Sequence, residues 1–179
     1  MIIDKTIIDG CFVFSYPKHE DRRGYFSRIF CNHDNIITSK INFDLKQSSV
    51  GYNKKAKTAR GLHYQESPFG ENKIITCLSG AVDLFVVDLR DGSPTYNNSL
   101  IRRFDEKSKY TNSIYIPKQC ATGYVTLEDN TMLLYHMDEF FYDKHKRTIN
   151  FLNKDINLDY NFEGVIISDS DGDAKWKHS

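Results

Sequence analysis

The sequence predicts an all-β protein, either a sandwich or a double-sheet jelly roll with a few short helices. Many short apolar runs, each followed closely by Gly, Pro, Asn or Asp, are typical of strands joined by turns. The run from Ala81 to Leu89 is apolar on both faces, which predicts a strand in the middle of the structure. The best helical candidate, residues 31–45, is short. Folds of this type bind small ligands between their sheets.

Length and charge narrow the class of protein. A chain of 179 residues predicts one domain spanning 1–179, with enough residues to bury a core. The formal net charge of zero argues against a nucleic acid or an anionic membrane held by bulk electrostatics. We recognise no secretory signal or membrane span. The four cysteines are far apart and form no CxxC pair, which favours a cytoplasmic protein with reduced thiols.

In the N-terminal third, turn residues separate the predicted elements. Asp9-Gly10 separates two short apolar runs, and Gly24 precedes a third. The predicted elements are strands at Thr6–Ile8, Cys11–Phe14, Tyr25–Phe30 and Lys46–Tyr52, with the helix at 31–45 before the last of them.

From residue 60 onward the β pattern dominates. The predicted strands are Lys73–Leu78, Ala81–Leu89, Ser113–Ile116, Tyr124–Leu127 and Thr131–Met137. The last two form a predicted hairpin across Glu128-Asp129-Asn130. The 140s are charged and predict a loop, and an acidic tail precedes Trp176.

His63 is the first candidate functional residue, within the stretch Arg60–Gln65. In a regular strand Gly61, His63 and Gln65 share one face, whose small residue, imidazole and amide suit the wall of a polar cavity. An imidazole can exchange protons near neutral pH. A lone histidine is more often a satisfied structural residue, so the assignment depends on its neighbours in space.

Three further groups could act with His63. Lys73 could neutralise a developing oxyanion, or it could be a charged residue that protects a strand edge. The phenol of Tyr135 could donate a proton, or the ring could be a half-buried sheet tyrosine on the face of Leu133 and Met137. Asp171 could hold the imidazole in one tautomer, or it could be a solvated tail carboxylate.

Other chemistries have weaker support. A barrel metal site usually takes a second histidine two residues after the first, and here that position is Gln65, so we predict no metal. No Rossmann or phosphate-loop glycine pattern and no Gly-x-Ser-x-Gly motif is present. Arg22, Arg23 and Arg28 form either a solvated edge or a guanidinium site for a phosphate or diphosphate.

These motifs, in this order, make the sequence similar to the dTDP-4-dehydrorhamnose 3,5-epimerase family, which has a cupin-like jelly roll and acts on nucleotide-linked 4-keto sugars. The resemblance extends over nearly the whole chain and is highly specific. Its motifs are 21–26, Gln47, Arg60–Gln65, 71–73, 80–90, 93–96, 115–117, 121–124, Tyr135 with Met137, and Ser168 with Asp171.

The resemblance implies roles for individual residues. His63 matches the catalytic base, Asp171 its paired carboxylate, Lys73 a lysine near the keto oxygen, and Tyr135 a tyrosine on the opposite face of the sugar ring. Arg23, Gln47 and Arg60 match positions that bind the nucleotide diphosphate or the sugar. We also predict that Arg28, Gln65 and Thr122 bind the substrate.

The implied reaction inverts C3, C5 or both through an enolate, with the ketone of the substrate as electron sink and therefore no cofactor. The expected partner is a nucleotide sugar, with no nucleic acid and no membrane. The family is typically a homodimer with exchanged N-terminal strands, which would bring Arg23 to the pocket of the other subunit. The alternatives are an inactive sugar-nucleotide-binding cupin and a 3,4-ketoisomerase of the same fold.

The sequence departs from the family pattern at four positions. Thr122 replaces a substrate-contacting histidine, and Phe141 replaces a second tyrosine, with Tyr142 next to it. Arg28 stands where dTDP-specific members tend to carry an acidic residue, and Ser170 replaces a basic one. These departures predict a substrate other than the usual dTDP-hexose, for example a GDP- or CDP-linked 4-keto hexose or heptose, or inversion at one carbon only.

Overall fold

The structure is a computed structural model and describes residues 1–31, 33 and 41–174. Within these ranges the fold is built from thirteen strands, one 3₁₀ turn (Asp143–His145) and one short helix, α1 (Asp169–Gly172). The strands are β1 (Ile2–Lys5), β2 (Phe12–Pro17), β3 (His19–Asp21), β4 (Gly24–Phe26), β5 (Gln47–Asn53), β6 (Ala59–Gln65), β7 (Lys73–Ser79), β8 (Ala81–Asp88), β9 (Ser99–Asp105), β10 (Tyr110–Ile116), β11 (Cys120–Thr126), β12 (Thr131–Met137) and β13 (Lys146–Thr148). None of the helices in the described ranges is long and apolar enough to cross a membrane.

Two antiparallel sheets carry the fold, so the predicted all-β double-sheet jelly roll is confirmed. The six-stranded sheet has the order β1-β2-β10-β7-β12-β5, and the five-stranded sheet has the order β13-β6-β11-β8-β9. Strands β3 and β4 form a separate hairpin.

The main core lies between the inner faces of the two sheets. Leu84 of β8 and Leu133 of β12 belong to one buried cluster, although they come from different sheets. On the outer face of β8, Phe85 belongs to a second cluster, which the C-terminal segment covers. Every residue of β8 is buried, which confirms the prediction of a central strand that is apolar on both faces.

The first of the predicted strands is wrong. Residues Thr6–Ile8 form a turn, in which the Thr6 hydroxyl accepts from the Ile8 amide at 3.1 Å and donates to the Cys11 carbonyl at 3.1 Å. The first strand is β1, which precedes this turn and pairs with β2. The Thr6 side chain thus closes a local turn that competes with strand pairing.

The segment between residues 25 and 45 also differs from prediction. The strand predicted at Tyr25–Phe30 ends at Phe26. The helix predicted at 31–45 falls largely on residues 32 and 34–40, which lie outside the described residues, and 41–45 contain no helix. Trp176 lies outside the described residues as well. Ile41 and Phe43 are buried instead against the outer face of the six-stranded sheet.

The predicted hairpin of the last two strands is wrong. Strand β11 pairs with β6 and β8 in one sheet, whereas β12 pairs with β7 and β5 in the other. The turn after β11 therefore carries the chain from one sheet to the other. This crossing places the inner-face residues of β11 and β12 on the same cavity, one on each sheet.

Candidate active site

A cavity of about 360 Å³ opens between the two sheets. Its wall combines residues of β6 and β11 from the five-stranded sheet with residues of β5, β7 and β12 from the six-stranded sheet. Six of the predicted site residues line the cavity, four on the five-stranded sheet and two on the six-stranded sheet: Arg60, His63, Gln65, Thr122, Lys73 and Tyr135. A volume of this size suits a small ligand.

His63 and Asp171 form a hydrogen-bonded pair at this cavity. The Nε2 atom of His63 lies 2.7 Å from Asp171 Oδ1, and Asp171 Oδ2 accepts from the Gly61 amide at 3.1 Å. In the neutral imidazole this carboxylate partner places the proton on Nε2, so Nδ1 is the nitrogen that can accept a proton. Among the described residues, no hydrogen bond occupies Nδ1. The imidazole is about one-third exposed (35%), so a ligand can reach it.

The position of Asp171 comes from helix α1. Ser168 is the N-cap of this helix, and its hydroxyl accepts from the Asp171 amide at 3.3 Å. Burial of Asp171 favours the neutral acid, but the hydrogen bonds from His63 and the Gly61 amide outweigh it and hold the pKa of Asp171 below its ordinary value. The carboxylate is therefore charged at neutral pH and fixes the tautomer of the imidazole.

A β-bulge decides what β6 presents to the cavity. His63 is paired with Thr122 and Arg60 with Tyr124, so two residues of β6 lie opposite Gly123 alone. The predicted strict alternation is therefore wrong at this point: Arg60 and His63 both line the cavity. Without the extra residue they would face opposite sides of the sheet.

Gln65 lines the cavity, but its amide is occupied by the protein. Its nitrogen donates to the Phe69 carbonyl, Glu71 and the Phe140 carbonyl at 2.9–3.0 Å, and its oxygen accepts from the Tyr142 amide at 2.6 Å. These contacts tie the loop after β12 to β6. We therefore interpret Gln65 as part of the cavity wall, whereas the resemblance implied a substrate ligand.

Lys73 is a buried cation on the six-stranded sheet. Its Nζ lies 3.1 Å from Glu71 Oε1 and donates to the His63 carbonyl at 3.2 Å. The side chain is 9% exposed. A buried ammonium group, held by a carboxylate on one side, can stabilise negative charge that develops in the cavity.

Tyr135 lies on β12, on the sheet opposite His63. Burial is the main cause that raises the pKa of Tyr135 well above its ordinary value, and the neighbouring Tyr124 adds to this effect. The phenol is therefore protonated at neutral pH. The predicted base and the predicted acid thus face one cavity from opposite sheets, which is the arrangement that inversion of a carbon centre needs.

The remaining predicted binding residues divide into two groups. Thr122 lines the cavity. Gln47 lies at the edge of the cavity, because its Nε2 is 3.8 Å from the sulfur of the lining residue Met137. Arg23 and Arg28 are exposed and do not line the cavity of their own chain. Arg23 is paired with Asp21 at 2.6 Å, and its side chain is 83% exposed.

Sequence reasoning missed several wall residues that carry polar groups: Ser49, Tyr64, Glu71, Tyr124 and Lys146. Tyr124 follows Thr122 by two residues, so strand alternation could have placed both on one face. Lys146 belongs to the short edge strand β13, which gave no sequence signal. Within the described residues, no group of three His, Cys, Asp or Glu side chains is arranged to hold a metal ion.

Comparisons with known proteins identify the family of this chain. Residues 5–178 match the model of the family described as dTDP-4-dehydrorhamnose 3,5-epimerase. The chain belongs to this family. It is therefore an isomerase of the epimerase type, as the resemblance predicted.

Similar proteins cover the full length of the fold. The dTDP-4-dehydrorhamnose 3,5-epimerase of Shigella flexneri is 27% identical over 172 residues, which span 96% of this chain and 93% of that protein. The enzyme of the same name from Bacillus anthracis, solved with TDP and PPi bound, superposes with a TM-score of 0.89 at 26% identity over 97% of this chain and 98% of its own. A 3'-monoepimerase from Streptomyces bikiniensis, solved with dTDP-quinovose, has a TM-score of 0.84 at 25% identity over 94% and 84%.

Proposed function

We propose that this epimerase inverts C3, C5 or both of a nucleotide-diphosphate-linked 4-keto sugar by moving protons between the two walls of the cavity. The observation that carries this proposal is the placement of the His63–Asp171 pair and Tyr135 on opposite sheets around one cavity. Relatives of similar fold include both 3,5-epimerases and a 3'-monoepimerase, and the proposal therefore includes inversion at one carbon or at two.

The reaction begins with removal of a proton. The ketone at C4 acidifies the hydrogens on its neighbouring carbons, and Nδ1 of His63 accepts one of them. The resulting imidazolium is stabilised by the Asp171 carboxylate at 2.7 Å. The electron pair moves onto the C4 oxygen, where the buried Lys73 ammonium group stabilises the enolate. The ketone itself stores the electrons, so this chemistry requires no cofactor.

Inversion requires that the proton returns on the opposite face. The O–H bond of Tyr135 breaks as the new C–H bond forms, the C4 ketone is restored, and Tyr135 becomes a phenolate. The raised pKa of Tyr135 supports this role, because the phenol is still protonated when the enolate forms.

The nature of the sugar depends on the departures from the family pattern. Thr122 and Phe141 both line the cavity, and each is a poorer polar contact than the histidine and tyrosine of the family pattern. A ring with different substituents would fit this altered floor. We therefore propose a substrate other than the usual dTDP-hexose, with GDP- and CDP-linked 4-keto hexoses and heptoses as candidates.

The exposed arginines support an assembly. Arg23 lies on the β3–β4 hairpin, away from the cavity of its own chain, and the nucleotide end of the substrate needs cations. We propose a homodimer with exchanged N-terminal strands, in which Arg23 of one chain serves the cavity of the other.

Proton exchange with solvent tests the function directly. A panel of dTDP-, GDP- and CDP-linked 4-keto sugars is incubated in heavy water, and NMR follows deuterium uptake and inversion at C3 and C5. We expect His63→Asn to lower uptake by about 10²–10⁴-fold. Tyr135→Phe should retain uptake but lose inversion, because the base still works and the acid on the opposite face is missing.

Two results would contradict parts of the proposal. Absence of uptake from every sugar, with binding retained, would indicate the inactive binding protein. Uptake restricted to dTDP-4-keto-6-deoxyglucose, at both carbons, would refute the altered substrate while leaving the reaction intact.

A further inference from the structure

A second phenol, Tyr124, lines the cavity together with the proposed acid Tyr135, and the reaction above does not use it. Tyr124 is 2% exposed and lies on β11, in the sheet opposite Tyr135. The Tyr124 hydroxyl donates to Asn53 Oδ1 at 3.2 Å, and Arg60 Nε also donates to this Asn53 oxygen, at 2.9 Å. A buried hydroxyl with this set of partners belongs to a polar network that reaches a cation.

The Asn53 amide defines the direction of its own hydrogen bonds. Asn53 is buried, and its Nδ2 donates to the Thr131 carbonyl at 3.2 Å, so its oxygen is the atom that faces Tyr124. The Tyr124 hydroxyl donates its proton to that oxygen. Burial raises the pKa of both phenols; beyond burial, Tyr124 acts to raise the pKa of Tyr135 and Tyr135 acts to lower that of Tyr124, the pattern expected when Tyr135 donates toward the Tyr124 oxygen.

Gly51 allows the two phenols to approach. A Cβ built on Gly51 would lie 3.3 Å from the Tyr124 oxygen and 3.4 Å from the Cε2 atom of Tyr135. Any side chain here would press on both rings. The glycine on β5 thus leaves room for the contact between the acid and its neighbour.

We propose that Tyr124 is a positioning residue for the acid Tyr135, accepting its hydrogen bond at rest and donating one to the phenolate that forms in the reaction. This inference rests on the proposed function. When the O–H bond of Tyr135 breaks and its proton forms the new C–H bond, Tyr135 is left as a phenolate that can only accept hydrogen bonds. The Tyr124 hydroxyl then rotates from Asn53 to the phenolate, no further covalent bond breaks, and Arg60 keeps Asn53 Oδ1 satisfied.

The environment of Tyr135 explains why such a donor matters. Burial disfavours a phenolate strongly, because a charge in a low-dielectric site needs a partner. The Arg60 charge favours the phenolate, but burial outweighs it. A hydroxyl that can reverse its hydrogen bond stabilises the Tyr135 phenolate only when that phenolate has formed. It therefore lowers the barrier of the protonation step. Proton removal by His63 is not affected.

The test compares inversion with exchange in Tyr124→Phe. This change removes one oxygen and keeps the ring, so the fold is expected to persist. Deuterium uptake at the site of His63 should stay within about threefold of wild type, whereas inversion falls about 10- to 100-fold, the effect of losing one donor to a developing oxyanion. Incorporation of 3-fluorotyrosine at position 124, which restores the hydroxyl, should restore the ratio of inversion to uptake.

Tyr115→Phe is the matched control. Tyr115 is a buried tyrosine that belongs to the cluster on the outer face of the six-stranded sheet, so removal of its hydroxyl should leave the ratio unchanged. Equal loss of uptake and inversion in Tyr124→Phe, or no loss of either, would overturn the role of Tyr124. Absence of uptake and inversion in the wild type would instead refute the proposed function.

Discussion

His63 reaches the cavity together with Arg60 because the chain bulges at a glycine. Gly61 has a φ of +111°, and a Cβ added there would lie 2.6 Å from the Thr122 carbonyl oxygen and 2.7 Å from the Cα atom of Gly123. Both neighbours are backbone atoms of the paired strand and cannot move aside. The Gly61 amide also donates to Asp171, so this residue shapes both the bulge and the His63–Asp171 pair.

We therefore expect Gly61→Ala to damage stability and activity together. The crowded Cβ and the positive φ should cost about 2–4 kcal/mol in the free energy of unfolding, measured in urea. Deuterium uptake should fall as well, because the His63–Asp171 pair loses its alignment.

Gly92→Ala is a suitable control for the backbone effect alone. Gly92 has a φ of +74°, and a Cβ there would meet nothing within 4 Å. It should cost only about 1 kcal/mol and leave uptake unchanged. Equal costs at both positions would mean that the tight contact with β11 does not matter.

The types of the site residues were predictable from the sequence, but their common orientation was only partly so. His63, Lys73, Tyr135 and Asp171 carry groups suited to proton transfer, and the motif order pointed to them. The bulge in β6 was not predictable, because a pattern of period two cannot represent one extra residue. The hydrogen bonds of Gln65 depend on the loop after β12, and the spacing of residues in the sequence does not predict that this loop contacts Gln65.

At the level of elements, the end of β8 is stabilised by a buried carboxylate. Asp88 is fully buried and accepts from Arg90 Nε and Nη2 at 2.8 Å each, and from the hydroxyls of Ser93 and Thr95 at 2.6 Å each. Burial opposes its charge, but these hydrogen bonds outweigh burial and hold the pKa of Asp88 far below its ordinary value. The network fastens the loop after β8 to the strand.

Asp88→Asn should therefore destabilise the protein in a pH-dependent way. At pH 7 we expect a loss of about 3 kcal/mol in urea unfolding, because Arg90 loses its countercharge in a buried network. A lowered pKa contributes stability above the pKa of the unfolded state, near 4, and this contribution disappears as the pH falls toward the folded pKa. The difference between wild type and variant should thus shrink steadily below about pH 4.

Asp129→Asn provides the comparison, since Asp129 pairs with Lys55 on the surface, where both side chains are at least half exposed. Its substitution should change stability by no measurable amount at pH 7. A difference at Asp88 that is the same at pH 7 and pH 3 would show that the charge of this carboxylate does not contribute.

Strand existence was easier to predict than strand pairing. The runs that became β7, β8 and β12 were found within one or two residues, because each is long and apolar on its inner face. The partner of β12 was wrong because a short turn after β11 also fits a chain that crosses between sheets. Strand β9 was missed: most of its residues are polar or exposed, so no apolar run marked it.

At the scale of the whole molecule, the site exists only because two sheets pack together. His63 and Asp171 belong to the side of β6, whereas Tyr135 and Lys73 belong to the side of β7 and β12. The shared core therefore sets the spacing across the cavity between the proposed base and the proposed acid. One chain supplies all four groups. Arg23, on the exposed β3–β4 hairpin, does not reach the cavity of its own chain.

The proposed exchange of N-terminal strands makes a decisive prediction about mixed dimers. Arg23→Ala alone should lower kcat/KM by about 10- to 100-fold, the effect of losing a charged hydrogen bond to the diphosphate. When differently tagged Arg23→Ala and His63→Asn chains are co-expressed and purified through both tags, each dimer should contain one site with an intact His63 and an intact Arg23 from the other chain. These heterodimers should regain about half of the wild-type activity.

The pair His63→Asn and Tyr135→Phe is the control, because both residues line the cavity of the same chain. Its heterodimers contain one site without the base and one without the acid, so activity should not return. If Arg23 served its own chain, the Arg23→Ala and His63→Asn heterodimers would behave in the same way, with each site carrying one defect. Both pairs of variants form the same dimer and differ only in the residue that is combined with His63→Asn. Activity that returns with Arg23→Ala but not with Tyr135→Phe therefore shows that Arg23 acts in the cavity of the other chain.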